Sequence, residues 1–171
     1  MSVVVSYQGE PGAFSSQAAL QAFPDCELLP CPTFEDALAA VSEGKARYGM
    51  IPIDNSIAGR VADIHHLLPR SGLHIIGEHF LPIRFHLMAV EGATLATLKT
   101  VQSHIHALGQ CRKIIRKLGL KAEVAADTAG SARQVAEAGD LTRAAIAPHI
   151  AADVYGLNIL MEDIEDEKHN T

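Results

Sequence analysis

The chain has 171 residues, 48% of them apolar, and a formal net charge of −6. That length can bury a core in one domain or two small ones, while the acidic balance argues against a nucleic-acid surface, which needs a basic patch. No apolar run approaches the roughly 18 uncharged residues of a membrane span.

Met1-Ser2-Val3-Val4-Val5 passes directly into a strand-like run with no basic region before it, so no secretory signal and a cytoplasmic protein are expected. Residues 3–6 read as a strand, 15–23 as a helix and 26–30 as a strand. Residues 33–43 carry a strong helix pattern: Thr33 can cap it, Asp36 lies three residues on, and Phe34, Ala37, Leu38 and Val41 share one apolar face. Gly44 ends it. A strand over 48–53 and a helix over 61–69 follow. The extended run 74–90 is too long for one strand of about six residues, and Pro82 inside it cannot donate a ladder bond. It reads as two strands with a crossing between sheets near 80–83.

The second half repeats the alternation. A strand lies at Val101, a helix over 107–118 closed by Gly119, and a strand over 122–125. A helix over 128–138 closed by Gly139, a strand over 144–147, a helix over 150–155 closed by Gly156 and a strand over 157–161 complete it. Residues 162–171 are polar and acidic, with no core pattern. Strand–helix alternation implies an α/β protein with a mainly parallel sheet. With a crossing near 80–83, the tail is the natural return. The expected division is one lobe of 1–79 with 161–171 and a second of 80–160, separated by a cleft, with ligands at strand carboxyl ends beside helix N-termini.

Cys26, Cys31 and Cys111 are an odd number in a chain read as cytoplasmic, so free thiols are expected. The nine histidines pair most closely at His65-His66 and His104/His106, but neither pair has the i, i+4 spacing with a nearby carboxylate that a hydrolytic zinc site needs. No metal is expected.

Four strand-to-helix junctions carry polar residues. Gly9-Glu10-Pro11-Gly12-Ala13-Phe14-Ser15-Ser16 combines close backbone approach with a cap at Ser15 or Ser16. No Gly-Lys-Ser/Thr follows it, which argues against a nucleotide P-loop. Asp54-Asn55-Ser56 places an amide after a strand. Ser103 through Cys111 leads from a strand end into a helix, and Asp127-Thr128-Ala129 has a cap at Asp127 or Thr128. Free N–H groups and the helix dipole make such junctions suited to a carboxylate, and together the four read as an anion-binding cleft.

At these residues the chain resembles the prephenate dehydratases. The resemblance rests on Tyr7-Gln8-Gly9-Glu10-Pro11-Gly12-Ala13-Phe14-Ser15, Pro52-Ile53-Asp54-Asn55-Ser56, Ser103-His104 with Ala107-Leu108 and Gln110-Cys111, Asp127-Thr128-Ala129, and Ala151 through Leu157. The tail Ile164-Glu165-Asp166, with Asn170, is also similar, so the resemblance covers essentially the whole chain. It implies a two-lobed fold like that of the type-2 periplasmic binding proteins. It also implies conversion of prephenate to phenylpyruvate in phenylalanine biosynthesis by a homo-oligomeric lyase, with no cofactor, nucleic acid or membrane involved. Asn55, Ser103 and Gln110 are implied as catalytic. Ala13, Phe14, Ser15, Ser56, His104, Ala107, Leu108, Cys111, Thr128 and Ala129 are implied as substrate-binding. Asp54 stands where the family has Glu, and Ala13 where it has Thr. The arogenate dehydratases resemble the chain in the same motifs, and a small-anion binding module on the same fold is the alternative of another class.

The family's Thr-Arg-Phe motif would begin two residues after Asn170, past Thr171. The resemblance therefore implies that its threonine, the expected proton donor, and a regulatory ACT domain lie outside these 171 residues. Little turnover is expected from the 171 residues alone.

Overall fold

The computed structural model describes residues 2–171. It divides into two compact units: the chain through Pro82 together with Asn170–Thr171, and Ile83–His169.

In the first unit, β1 (Val4–Gln8) is the centre of a three-stranded parallel sheet, between β2 (Glu27–Cys31) and β3 (Tyr48–Gly49). Val5, Ser6 and Tyr7 are fully buried, as expected of a strand covered on both faces by α1 (Phe14–Ala22) and α2 (Phe34–Ser42). The Ser6 hydroxyl reaches this depth because it donates to the Ala37 carbonyl at 2.8 Å. Helix α2 starts where the sequence places its cap. Thr33 accepts from the Asp36 N–H at 3.1 Å, and its hydroxyl donates to the Asp36 carboxylate at 2.8 Å. Ala37, Ala40, Cys31 and Ala46 form the core beneath it. A small antiparallel hairpin pairs β4 (Asp54–Asn55) with β5 (Gly59–Arg60), ahead of α3 (Ala62–Leu67) and a 3-10 turn at Leu68–Arg70.

The second unit is a five-stranded mixed sheet. Its strands are β6 (His86–Ala89), β7 (Thr100–His104), β8 (Lys121–Ala125), β9 (Arg143–Ala147) and β10 (Asn158–Met161), in the order β10-β6-β9-β7-β8. Strand β6 runs antiparallel to both neighbours, while β7 is parallel to β8 and β9. The helices are α4 (Ile105–Gln110), α5 (Arg112–Lys117), α6 (Thr128–Ala138) and α7 (His149–Tyr155). The last two end on left-handed glycines, Gly139 and Gly156. Met88, Ala145 and Ala147 from the sheet pack against Ala132, Val135, Ala151 and Ala152 from α6 and α7. Alanine dominates because small side chains let helix and sheet approach closely.

Several expectations differ from what is observed, among them the strand over 48–53, which is only Tyr48–Gly49. The first part of the 74–90 run forms no strand: Ile75, Ile76 and Phe80 are each about seven-tenths exposed, and regular pairing begins only at His86. The helix expected over 107–118 begins earlier and is two helices, broken at Cys111 (φ −123°). Residues 161–169, expected with the first unit, lie in the second. Here the Ile164 N–H donates to the Phe85 carbonyl at 2.9 Å and the Asp166 N–H to the Gln110 carbonyl at 2.6 Å.

Candidate active site

The residues singled out in the first unit lie on two loops. The first follows β1. Gly9 (φ 124°) and Gly12 (φ 90°) take backbone angles that only glycine adopts freely, and the Gly9 N–H donates to the Cys31 carbonyl at 3.0 Å. The cap of α1 is Ala13, not Ser15 or Ser16, because the helix begins at Phe14. The Ser16 hydroxyl is buried and donates back to the Ala13 carbonyl at 2.7 Å. Phe14 and Ser15 are half-buried at the first turn.

The second loop is the β4–β5 hairpin. Asn55 Oδ1 accepts from the N–H groups of Ile57 at 3.0 Å and Ala58 at 2.8 Å, a side-chain-stapled turn. With the carbonyl oxygen so engaged, the half-buried Asn55 presents its amide nitrogen as donor. Asp54 accepts from the Asn55 N–H at 2.8 Å. Ser56 is held by the other end of the chain. Its hydroxyl donates to Asn170 Oδ1 at 3.2 Å and accepts from the Thr171 N–H at 3.0 Å, while its own N–H donates to the Thr171 carbonyl at 3.0 Å.

The second unit carries the remaining positions. Ser103, near the end of β7, is fully buried, and its hydroxyl donates to the Ile146 carbonyl at 2.6 Å, tying β7 to β9. His104 caps α4, its Nδ1 accepting the His106 N–H at 3.3 Å. Burial, then repulsion from His106, lowers the His104 pKa against the opposing pull of Asp127, so the imidazole is neutral at neutral pH. The His104 and His106 rings lie 5.0 Å apart. Ala107 and Leu108 of α4 are buried, as is Cys111 just after it, whereas Gln110 is half-buried at the helix end. Thr128 opens α6 half-buried, with Ala129 buried behind it. The cap there is Asp127, accepting from the Gly130 N–H at 2.6 Å.

The two helix N-termini expected to receive an anion are thus each occupied by a side chain of the protein, His104 on α4 and Asp127 on α6. The Asp127 carboxylate already satisfies the Gly130 N–H and complements the dipole of α6. The first unit thus carries the Asn55 amide on its hairpin, and the second carries Gln110 and Thr128 half-buried at helix ends, all neutral hydrogen-bonding groups.

In sequence, Arg84 falls outside every motif and the tail shows no core pattern. Yet Glu165 is buried, accepting from Arg84 Nη1 at 2.8 Å and from the Phe85 N–H at 3.0 Å. Asp166 then caps α5 through the Lys113 N–H at 3.1 Å. Lys113, Lys117 and residues 161–166 line a shallow groove of about 280 Å³ in this unit. Ile164, a lone apolar residue in this acidic stretch and part of the tail that resembles the family, is buried.

The chain is 45% identical over 168 residues to a bifunctional N-acyl-homoserine lactone acylase/prephenate dehydratase of Komagataeibacter europaeus, covering 98% of this chain and 60% of that protein. It is 43% identical over 168 residues to arogenate dehydratase/prephenate dehydratase 2 of Arabidopsis thaliana, covering 98% of this chain and 44% of that one. The chain therefore spans between two-fifths and three-fifths of the length of these relatives. The solved prephenate dehydratase of Arthrobacter aurescens, in complex with L-Phe, superposes with a TM-score of 0.87 at 35% identity, over 97% of this chain and 57% of that one. The family model for prephenate dehydratase matches residues 5–171, taking in the Asn55 hairpin, the Ser103–Cys111 segment and the Asp127–Ala129 cap in one alignment. By this match the chain belongs to the prephenate dehydratase family.

Proposed function

We propose that this chain is the catalytic part of a prephenate dehydratase, converting prephenate to phenylpyruvate, carbon dioxide and water. The observation that carries the reading is the family match over residues 5–171, which includes every loop on which a candidate residue lies.

The chemistry asks for little beyond oriented neutral donors. The bond between the ring and its carboxylate breaks and releases carbon dioxide. The bonding pair moves into the ring, which becomes aromatic as the bond to the ring hydroxyl breaks. That hydroxyl takes up one proton and departs as water, so the substrate dianion becomes a product monoanion. Donors aimed at the departing oxygen and at the side-chain carboxylate lower this barrier. A cation on the ring carboxylate would hinder the loss of its charge, which suits a set of neutral groups.

We assign the Asn55 and Gln110 amides to leaving-group bonding and substrate orientation, and the Thr128 hydroxyl to a substrate carboxylate. Ser103 serves the same reaction from behind, fixing the end of β7 through Ile146. His104 holds the start of α4 and, being neutral at neutral pH, is a poor proton donor. The proton comes, in this reading, from the threonine of the family's Thr-Arg-Phe motif. The reading includes a cytoplasmic, homo-oligomeric enzyme, for which three free thiols are suitable.

The test is an assay with prephenate and with arogenate, on the 171-residue chain and on one continued through Thr-Arg-Phe. Phenylpyruvate, read by its ultraviolet absorbance in alkali, is expected from prephenate with the longer chain. Phenylalanine formed from arogenate in preference would make it an arogenate dehydratase. Binding of prephenate without turnover by either chain would make it a binding module and overturn the proposal.

A further inference from the structure

Ser56 has no hydrogen left to donate to a ligand. Its hydroxyl hydrogen goes to Asn170 Oδ1, its oxygen receives the Thr171 N–H, and its own N–H goes to the Thr171 carbonyl. A serine hydroxyl has one hydrogen to donate, so donation to a substrate would break the bond to Asn170. Asn170 cannot approach a ligand either, being only 3% exposed.

What these bonds hold is the hairpin that bears Asn55. Each of its strands is two residues long, and residues 56–60 are all exposed, so apolar burial contributes little to its order. The turn is stapled internally by Asn55 Oδ1, which accepts from Ile57 and Ala58. The orientation of the Asn55 amide therefore depends on where the 56–58 backbone lies. That backbone is fixed at Ser56 by three hydrogen bonds to residues 114 and 115 positions further along the chain.

We propose that Ser56 and Asn170 are positioning residues: together they lock the Asp54–Arg60 hairpin so that the Asn55 amide is held in one orientation. The kinetic part of this inference rests on the prephenate dehydratase reading. The structural part does not. Ser56 moves from an expected substrate contact to a support of the neighbouring amide, and Asn170 gains a role that needs no contact with substrate.

The experiment has two arms. In the first, amide exchange at Ile57 and Ala58 is followed by NMR in wild type, Ser56→Ala, Ser56→Thr, Asn170→Ala and Asn170→Asp. Loss of the lock should raise exchange at these two amides by about fivefold or more in both alanine variants. The threonine and aspartate variants, which keep the hydroxyl and the Oδ1 acceptor, should stay near wild type. In the second arm, prephenate turnover is measured in the chain continued through Thr-Arg-Phe. There kcat should fall by about tenfold or more with the alanine substitutions and recover in Ser56→Thr, because a displaced donor costs rate more than affinity. Unchanged exchange in Ser56→Ala, whose exposed site threatens no core, would overturn the lock. Changed exchange with unchanged kcat in an active enzyme would overturn its catalytic purpose. A wild-type protein with no turnover would defeat the functional reading and leave the exchange arm to judge the lock alone.

Discussion

The Glu165 carboxylate, 1% exposed, accepts from Arg84 Nη1 at 2.8 Å and from the backbone N–H of Phe85 at 3.0 Å, joining the start of the second unit to a residue near its end. Burial alone would raise the Glu165 pKa. The Phe85 N–H and the Arg84 guanidinium outweigh it, so the pKa lies below the ordinary glutamate value. A carboxyl depressed in the folded state contributes stability that is present above its unfolded pKa and is lost as pH falls through the folded one. Glu165→Ala would remove the carboxylate that accepts from the Phe85 N–H and from Arg84, a loss of about 1–3 kcal/mol at neutral pH. Urea unfolding at several pH values should show the gap from wild type narrowing below about pH 4. A gap independent of pH would mean that the charge of Glu165 contributes nothing.

Gly130 and Asp127 form a second testable pair. A Cβ built on Gly130 would lie 2.7 Å from Asp127 Oδ2, so a methyl group there must displace the carboxylate that caps α6. Glycine to alanine inside a helix normally gains about 1 kcal/mol. Loss of an aspartate cap costs about as much. Gly130→Ala should therefore be neutral or destabilising in wild type but stabilising by about 1 kcal/mol in the Asp127→Ala background. Additive effects in the double-mutant cycle would show that cap and glycine are independent.

Much of the architecture was legible because its signals are local. Thr33 with Asp36 marked the start of α2, and Gly139 and Gly156 marked the ends of α6 and α7. The misread parts depend on distant partners. Ile75, Ile76 and Phe80 carry a strand-like apolar pattern, but among the described residues no strand pairs with them. The tail is acidic, yet Ile164, Glu165 and Asn170 are buried, because Arg84 and Phe85 satisfy Glu165 and Ser56 bonds to Asn170. Helix 107–118 reads as continuous, but Asp166 caps a new helix within it. The candidate site was legible as a set of loops. The inward direction of Ser103 was not, since it depends on Ile146 in another strand.

His104 should titrate in keeping with its role as a cap. Its pKa is lowered, first by burial and then by His106, so the folded state prefers the neutral ring. The unfolded chain binds the proton more readily, and stability falls as pH drops below about 6.5 towards the folded value. His86 acts in the same direction, its pKa lowered chiefly by burial while its Nδ1 accepts the Asp163 N–H at 3.3 Å. In an NMR titration the His104 midpoint should lie below that of a free imidazole and rise partway back in His106→Ala. His104→Asn, which retains a capping acceptor, should be more stable at pH 7 than His104→Ala by about 1 kcal/mol. A midpoint above 6.5 would contradict the effect of burial, and equal stability of the two variants would mean that His104 does not cap this helix.

The three thiols should differ in reactivity, although all are free. Cys111 lies fully buried at the junction of α4 and α5, and burial, with the nearby Asp166 and Glu165 carboxylates, pushes its pKa far up. Cys31 is also buried and its pKa is raised, mainly by burial and then by Asp36. Cys26 is only partly covered, and its upward shift comes from burial alone, opposed by a backbone hydrogen bond. Reaction needs both access and thiolate, so a disulfide reagent applied to native protein at pH 8 should modify Cys26 first. Cys111 should wait for opening of the second unit, because no part of it is exposed in the folded state. Peptide mapping over time would give the order, and titration after denaturation without reductant should count all three. Labelling of Cys111 as fast as Cys26 in native protein would mean that the α4–α5 junction opens readily. Gln110, whose carbonyl receives the Asp166 N–H beside that junction, would then be a mobile donor and a poor choice for orienting substrate.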